Sequence, residues 1–154
     1  MPALVKAFEL IGTAQVAKSA MEAQRDFLII NEKDTITFNK ERVLFDAKQR
    51  ALGLLDGYEP PEEETFRLPG ATGRAAVDLA LHDFHMKGMA SDYDVHVGRE
   101  VAMVLTGGDT DVTEELTERD LLKLEQKHFV ALTKQPKTLA RLEHMLSTNK
   151  PLRN

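Results

Sequence analysis

Three of the five histidines in this 154-residue chain fall within one short stretch, interleaved with aspartates: His82, Asp83, His85, Asp92, Asp94 and His96. Imidazoles and carboxylates together are the donor set a zinc-like ion takes. His82 and His85 are spaced to share one face of a helix. The spacing is not that of an HExxH site, where two imidazoles one helical turn apart flank a glutamate base. His82, His85 and His96 therefore form a candidate ligand cluster, set against a plainer expectation of surface histidines on amphipathic helices. His128 lies beside an apolar stripe and is expected to be a hydrogen-bonded core histidine.

Phosphate chemistry has one candidate. Gly70-Ala71-Thr72-Gly73 precedes an apolar periodic stretch, as a cradle at a helix N-terminus would. No GxGxxG and no GxxxxGK[ST] occurs in the chain, and a lone GxxG is first of all a turn and a helix start. Gly107-Gly108-Asp109 reads as a helix stop. There is no GxSxG elbow, and the absence of cysteine removes thiol nucleophiles, thiolate metal sites and disulfides at once. The residues assign no catalytic, cofactor-binding or metal role to any position.

The elements around these residues are helical. Val77, Ala80, Leu81 and Phe84 form one i, i+3, i+4, i+7 stripe, and Val95, Gly98, Val101, Ala102 and Leu105 form a second. Gly88 stops the first helix. Ser91 caps the second, with Asp94 in capping-box position, and Gly107 closes it. This predicts a helical hairpin with facing stripes, around which the remaining elements pack. Leu4, Phe8 and Ile11 form a short stripe ended by Gly12. Ser19 with Glu22 opens a helix to about Asp26. Phe27–Ile30 and Thr35–Phe38 suggest a small hairpin, and Thr65–Leu68 a brief strand. Asn39 caps a helix with an inner face of Val43 or Leu44, Ala47, Ala51, Leu54 and Leu55. Thr117, with Asp120, caps a helix whose inner side is Leu121, Leu124, His128 and Leu132, with Leu122 and Phe129 beside it. Pro136 opens a last helix carrying Leu139, Leu142, Met145 and Leu146, which cannot pass Pro151. The fold class is mainly α: a bundle-like array of about six or seven helices with at most a small two-stranded ribbon.

The bulk numbers are those of a globular protein: 42% hydrophobic and 29% charged residues, with a net charge of −5. That charge argues against a general nucleic-acid binder. No apolar run approaches the ~20 residues of a membrane span. Lys6 and Glu9 interrupt the apolar N-terminus, so it is no secretory leader, and a cytoplasmic location is expected. Tyr58–Glu64, with Pro60-Pro61 and three glutamates, is a linker pattern. The expected division is 1–57, a 58–68 linker and 69–154.

Phe8-Glu9-Leu10-Ile11-Gly12-Thr13-Ala14, followed by Ser19-Ala20 and Phe27-Leu28, resembles the later part of a crotonase (enoyl-CoA hydratase/isomerase) domain. One departure is Asp26, where crotonases usually place glycine. Leu68-Pro69-Gly70, Gly73-Arg74-Ala75-Ala76, Val97-Gly98-Arg99 and Leu105-Thr106-Gly107-Gly108-Asp109 resemble the continuation found in bacterial multifunctional 3-hydroxyacyl-CoA dehydrogenases of fatty-acid β-oxidation. So do Arg141-Leu142-Glu143-His144-Met145-Leu146 and Lys150-Pro151-Leu152-Arg153-Asn154. The resemblance implies a C-terminal helical region, with residues 1–57 as the remnant of a crotonase-like domain. It places the NAD-binding dehydrogenase region and the crotonase catalytic glutamates upstream of Met1, so NAD is implied for that region only. It transfers no catalytic residue to this chain. The implied work is packing, assembly and cover for an acyl-CoA pocket. The alternatives are a stand-alone helical interaction protein and a histidine-centred metal or ligand site. Leu4, Phe8 and Ile11 are the expected interface, for self-association or for the upstream region; the competing outcome is that this helix folds back onto the central hairpin.

Overall fold

The computed structural model describes residues 2–27, 30–31 and 34–154. Among these are seven α-helices and one two-stranded antiparallel ribbon. The chain divides into two compact units, one of Met1–Ala14 with Glu64–Asn154 and one of Gln15–Glu63.

The first unit is built on the helical hairpin. Helix α4 spans Gly70–Met86 and α5 spans Asp92–Leu105. Each ends in a glycine with positive φ, at Gly88 and Gly107, and each ending makes the two backbone bonds of a Schellman motif: Met89 N–H to Phe84 O at 2.9 Å with Gly88 N–H to His85 O at 2.9 Å, and Gly108 N–H to Met103 O at 2.7 Å with Gly107 N–H to Val104 O at 3.1 Å. Ser91 caps α5 in a reciprocal box with Asp94. The facing stripes pack as expected. Val77, Leu81 and Ala102 are buried, with Val95, Val101 and Leu105 packed against them.

The fourth member of this buried cluster is Phe8, only 2% exposed. It comes from α1, Pro2–Gly12. Expected within a 1–57 segment, α1 instead shares its core with residues 77–102, and Leu4 packs beside it. The stripe is thus covered largely by the chain's own hairpin, which corrects the expectation that Phe8 and Leu4 stand free as an interface. Only Ile11, 53% exposed, keeps an open face.

Two glycines set how closely these parts approach. A Cβ on Gly98 would stand 2.5 Å from Leu81 Cδ2, so the α4–α5 crossing needs a hydrogen there. Gly70 has a φ of +50°, and a Cβ on it would fall 1.8 Å from the Thr110 carbonyl oxygen.

The ribbon joins β1 (Thr65–Phe66) to β2 (Leu116–Thr117), with Thr65 opposite Thr117 and Phe66 opposite Leu116. The strand expected at 65–68 is therefore present, and its partner is the segment that leads into the next helix. Thr117 then caps α6 (Glu118–Thr133) with Asp120 in a second capping box. Helix α7 (Pro136–Thr148) starts at a proline, as tolerated at the first helical position. Leu121, Leu124, His128 and Leu132 are the half-buried side of α6, as the periodicity indicates, but Leu122 and Phe129, expected beside them, are 55% and 64% exposed.

The second unit departs from expectation. Ser19 Oγ accepts from Glu22 N–H at 3.1 Å, but the α-helix it caps is only α2, Ala20–Glu22. A π-helical turn, Ala23–Phe27, follows it. The expected hairpin of Phe27–Ile30 with Thr35–Phe38 lies partly outside the described residues. Its described part is not a strand: Phe27 closes the π turn, and Thr35–Phe38 is irregular. A lone two-stranded ribbon is marginal in water, so an apolar run of this length is not enough to make one. Asn39 Oδ1 accepts from Glu41 N–H at 3.0 Å and caps a short 3₁₀ turn, Lys40–Arg42, that leads into α3, Val43–Gly53. No residue of α3 is buried, so the inner face expected from Val43 to Leu55 is not an inner face among the described residues.

Candidate functional site

The helical hairpin separates the candidate ligand cluster. His82 is exposed on α4. His85 Nε2 meets Asp92 Oδ1 at 2.9 Å, a bridge from the end of α4 to the start of α5 in which the aspartate is 93% exposed. His96 stacks on Tyr93, ring centres 5.5 Å apart. Among the described residues, no three His, Asp or Glu side chains gather closely enough to hold a metal ion. The three histidines sit near one another in sequence, but helical geometry spreads them around two helices.

The Gly70–Gly73 turn does not fit a dinucleotide phosphate. Gly70 N–H already donates to Thr106 O at 2.9 Å. The space above Gly73 is filled by Pro69, Thr106 and Leu4, whose nearest atoms would stand 2.5–3.0 Å from a Cβ there. Thr106 is fully buried, and its hydroxyl donates to Ala102 O at 2.8 Å. Arg74 closes the turn from outside by donating to Gly108 O and pairing with Asp109 at 3.1 Å. The glycines are joinery: they let α4 start against the end of α5.

Two polar constellations were not legible from periodicity. In the first, His128 Nδ1 on α6 lies 2.6 Å from Glu100 Oε2 on α5, with side chains 12% and 23% exposed. The expected hydrogen-bonded histidine is thus present, and its partner is Glu100. A carboxylate that orients an imidazole is half of a general-base arrangement. The other half is missing, because His128 Nε2 is buried with no hydrogen-bond partner among the described residues. The pair ties α5 to α6 as a polar joint.

The second constellation fastens α7 and the last residues to the start of α5. Arg141 Nη1 donates to Asp94 Oδ1 at 2.8 Å, and Arg141 Nε donates to Asn154 Oδ1 at 2.8 Å. Ser91 Oγ donates to the main-chain oxygen of Asn154 at 3.1 Å, and Asn154 Nδ2 donates to Lys137 O at 3.2 Å. The Arg141 guanidinium also lies 4.9 Å from the centre of the Tyr93 ring, while Tyr93 OH and Thr138 Oγ1 share a hydrogen bond of 2.7 Å. Partial burial resists ionisation of Asp94. The Ser91 backbone N–H, the Arg141 guanidinium and the Ser91 hydroxyl outweigh it, and hold the carboxyl below its ordinary range. No spacing rule links positions so far apart in sequence; Arg141 was visible only as part of a resemblance motif.

No family model matches the chain, and no solved structure matches it. Over 155 aligned positions that cover all of it, the chain is 40% identical to a protein of Bacillus subtilis (strain 168) described as a probable 3-hydroxyacyl-CoA dehydrogenase. The chain spans about a fifth of the length of that relative, 20%.

Proposed function

We propose that the chain is the C-terminal helical region of a fatty-acid β-oxidation 3-hydroxyacyl-CoA dehydrogenase/enoyl-CoA hydratase, with a packing and assembly role and no catalysis of its own. The observation that carries the reading is the 40% identity running through the whole chain. The crotonase-like component is supported only by the resemblance of the motifs between Phe8 and Leu28, and the Gly70, Gly98 and Gly107 motifs of the hairpin support the dehydrogenase continuation.

The geometry supports a role in support of chemistry done elsewhere. The glycines that could have cradled a phosphate are filled by neighbouring groups, and His128 is oriented by Glu100 but enclosed at its second nitrogen. A general base must reach the proton that it takes. The Glu100–His128 and Asp94–Arg141 pairs tie helices together, which is what a rigid platform for a neighbouring acyl-CoA site requires.

Steady-state assays of the purified chain test this. The expected result is no hydration of crotonyl-CoA and no NADH formation from 3-hydroxybutyryl-CoA and NAD. Turnover that co-purifies with the chain and survives removal of contaminants would overturn the reading.

A further inference from the structure

Helix α7 is docked with its polar side inward. A surface helix normally turns its apolar stripe to the core. Here the half-buried positions are Thr138, Ala140, Arg141 and His144. Leu139, Leu142, Met145 and Leu146 are 47%, 46%, 42% and 88% exposed. The neighbouring α6 adds Leu122 and Phe129, 55% and 64% exposed. The rotational setting of α7 is not free to reverse, because Thr138 is bonded to Tyr93 and Arg141 to Asp94. Rolling the leucines inward would break both anchors and leave Asp94 half-buried without its cation.

We propose that this outer face of α6 and α7 is a docking surface for the rest of a longer dehydrogenase polypeptide, and that α7 is the main element gripping it. The inference rests on the reading given under Proposed function and names the surface through which that role is exercised. The alignment runs through all of both helices, and about four fifths of the relative's own length lies outside the aligned part. That remainder is the nearest source of apolar cover. A second copy of this chain is the poorer occupant, because each copy brings a net charge of −5 to the encounter. Leu139, Leu142, Met145 and Leu146 recur at helical spacing along one side of α7, and an exposed apolar side on a folded domain marks an interaction site.

Hydroxyl-radical footprinting tests the proposal on the chain alone and on the intact Bacillus subtilis protein, with sedimentation velocity giving the mass of each sample. The expected result is a monomeric chain whose residues 139–146 label readily, and a several-fold lower labelling of the aligned segment in the intact protein. Equal labelling in the two proteins would overturn the proposal. Low labelling of the chain alone, at a concentration where it sediments as a dimer, would also overturn it by making a second copy the occupant. NADH formation by the isolated chain would instead strike at the functional reading, and would leave the footprint comparison to be judged separately.

Discussion

Arg141 on α7 donates to Asp94 in the first turn of α5 across 2.8 Å, joining residues 47 positions apart with side chains 23% and 30% exposed. The same aspartate completes the capping box of α5, so one carboxylate serves both as helix cap and as tertiary anchor. Removing the cation leaves a half-buried charge with its local partners only. Arg141→Ala is expected to cost about 1.5–3 kcal/mol, the range for hydrogen bonds to charged groups. Arg141→Lys should recover only part of that, because an ammonium cannot contact Asp94 and Asn154 and stack on Tyr93 together. Urea denaturation of the two variants checks the order; a Lys variant as stable as the wild type would show that stacking and the second hydrogen bond contribute nothing.

The pH dependence follows from the same residue. The carboxyl of Asp94 titrates below its ordinary value in the folded chain, so the unfolded chain binds its proton first as pH falls. Its contribution is therefore fully present above the unfolded value of about 3.9, and is lost as pH drops through the lower folded value. Asp94→Asn should flatten the acid limb of the stability curve and lower the plateau at neutral pH. Asp120 is a second case: hydrogen bonds from the Thr117 hydroxyl, Lys123 and the Thr117 backbone hold it down to about 2. In NMR titrations, Thr117→Ala should move the Asp120 midpoint upward while leaving Asp94 in place.

Gly98 and Leu81 should couple with a change of sign. Gly98→Ala gains helix propensity of about 1 kcal/mol. Against that, its new methyl would meet Leu81 Cδ2 at 2.5 Å, and overpacking typically costs about 1–3 kcal/mol. The single variant is expected to be destabilised. Leu81→Ala alone should cost about 2–5 kcal/mol as a cavity in the core. In that background the clash is gone, and Gly98→Ala should become stabilising. A double-mutant cycle by chemical denaturation measures this, and additive effects would mean that the crossing is looser than the structure has it.

Two charge insertions separate the core from the outer apolar face. Phe8→Glu should unfold the first unit, at a cost above the ~3–5 kcal/mol of a Phe→Ala change, because a carboxylate would replace a side chain 2% exposed. Leu142→Glu, at a position 46% exposed, should leave the melting temperature within about 2 °C of the parent. Calorimetry on both proteins decides; the reverse order would place the core on the other side of α7.

The parts of the fold legible in the sequence are those set by local rules. Periodicity located the α4–α5 hairpin and the inner side of α6, and capping chemistry placed the starts at Ser91 and Thr117. Glycine chemistry placed the stops at Gly88 and Gly107. What escaped was set by distant partners. Periodicity marks Leu4, Phe8 and Ile11 as apolar but cannot say that Phe8 joins the buried cluster of Val77, Leu81 and Ala102. It marks an apolar side on α7, and by itself would have turned that side inward; the Arg141–Asp94 and Thr138–Tyr93 bonds turn it out. The His82, His85 and His96 cluster was a neighbourhood in sequence only, since the hairpin sends its members to different surroundings. Glu100 carried no signal as the partner of His128, because a lone glutamate on an amphipathic helix reads as solvent-facing.

The most direct test of the scaffold reading is a replacement. The fifth of the Bacillus subtilis relative that aligns with this chain is exchanged for the chain itself, and NADH formation from 3-hydroxybutyryl-CoA and NAD is measured on the folded, purified hybrid. The account predicts activity within an order of magnitude of the unaltered relative, with the kinetics of NAD binding unchanged. A hybrid that folds and sediments like the relative but forms no NADH, while the relative does, would contradict it.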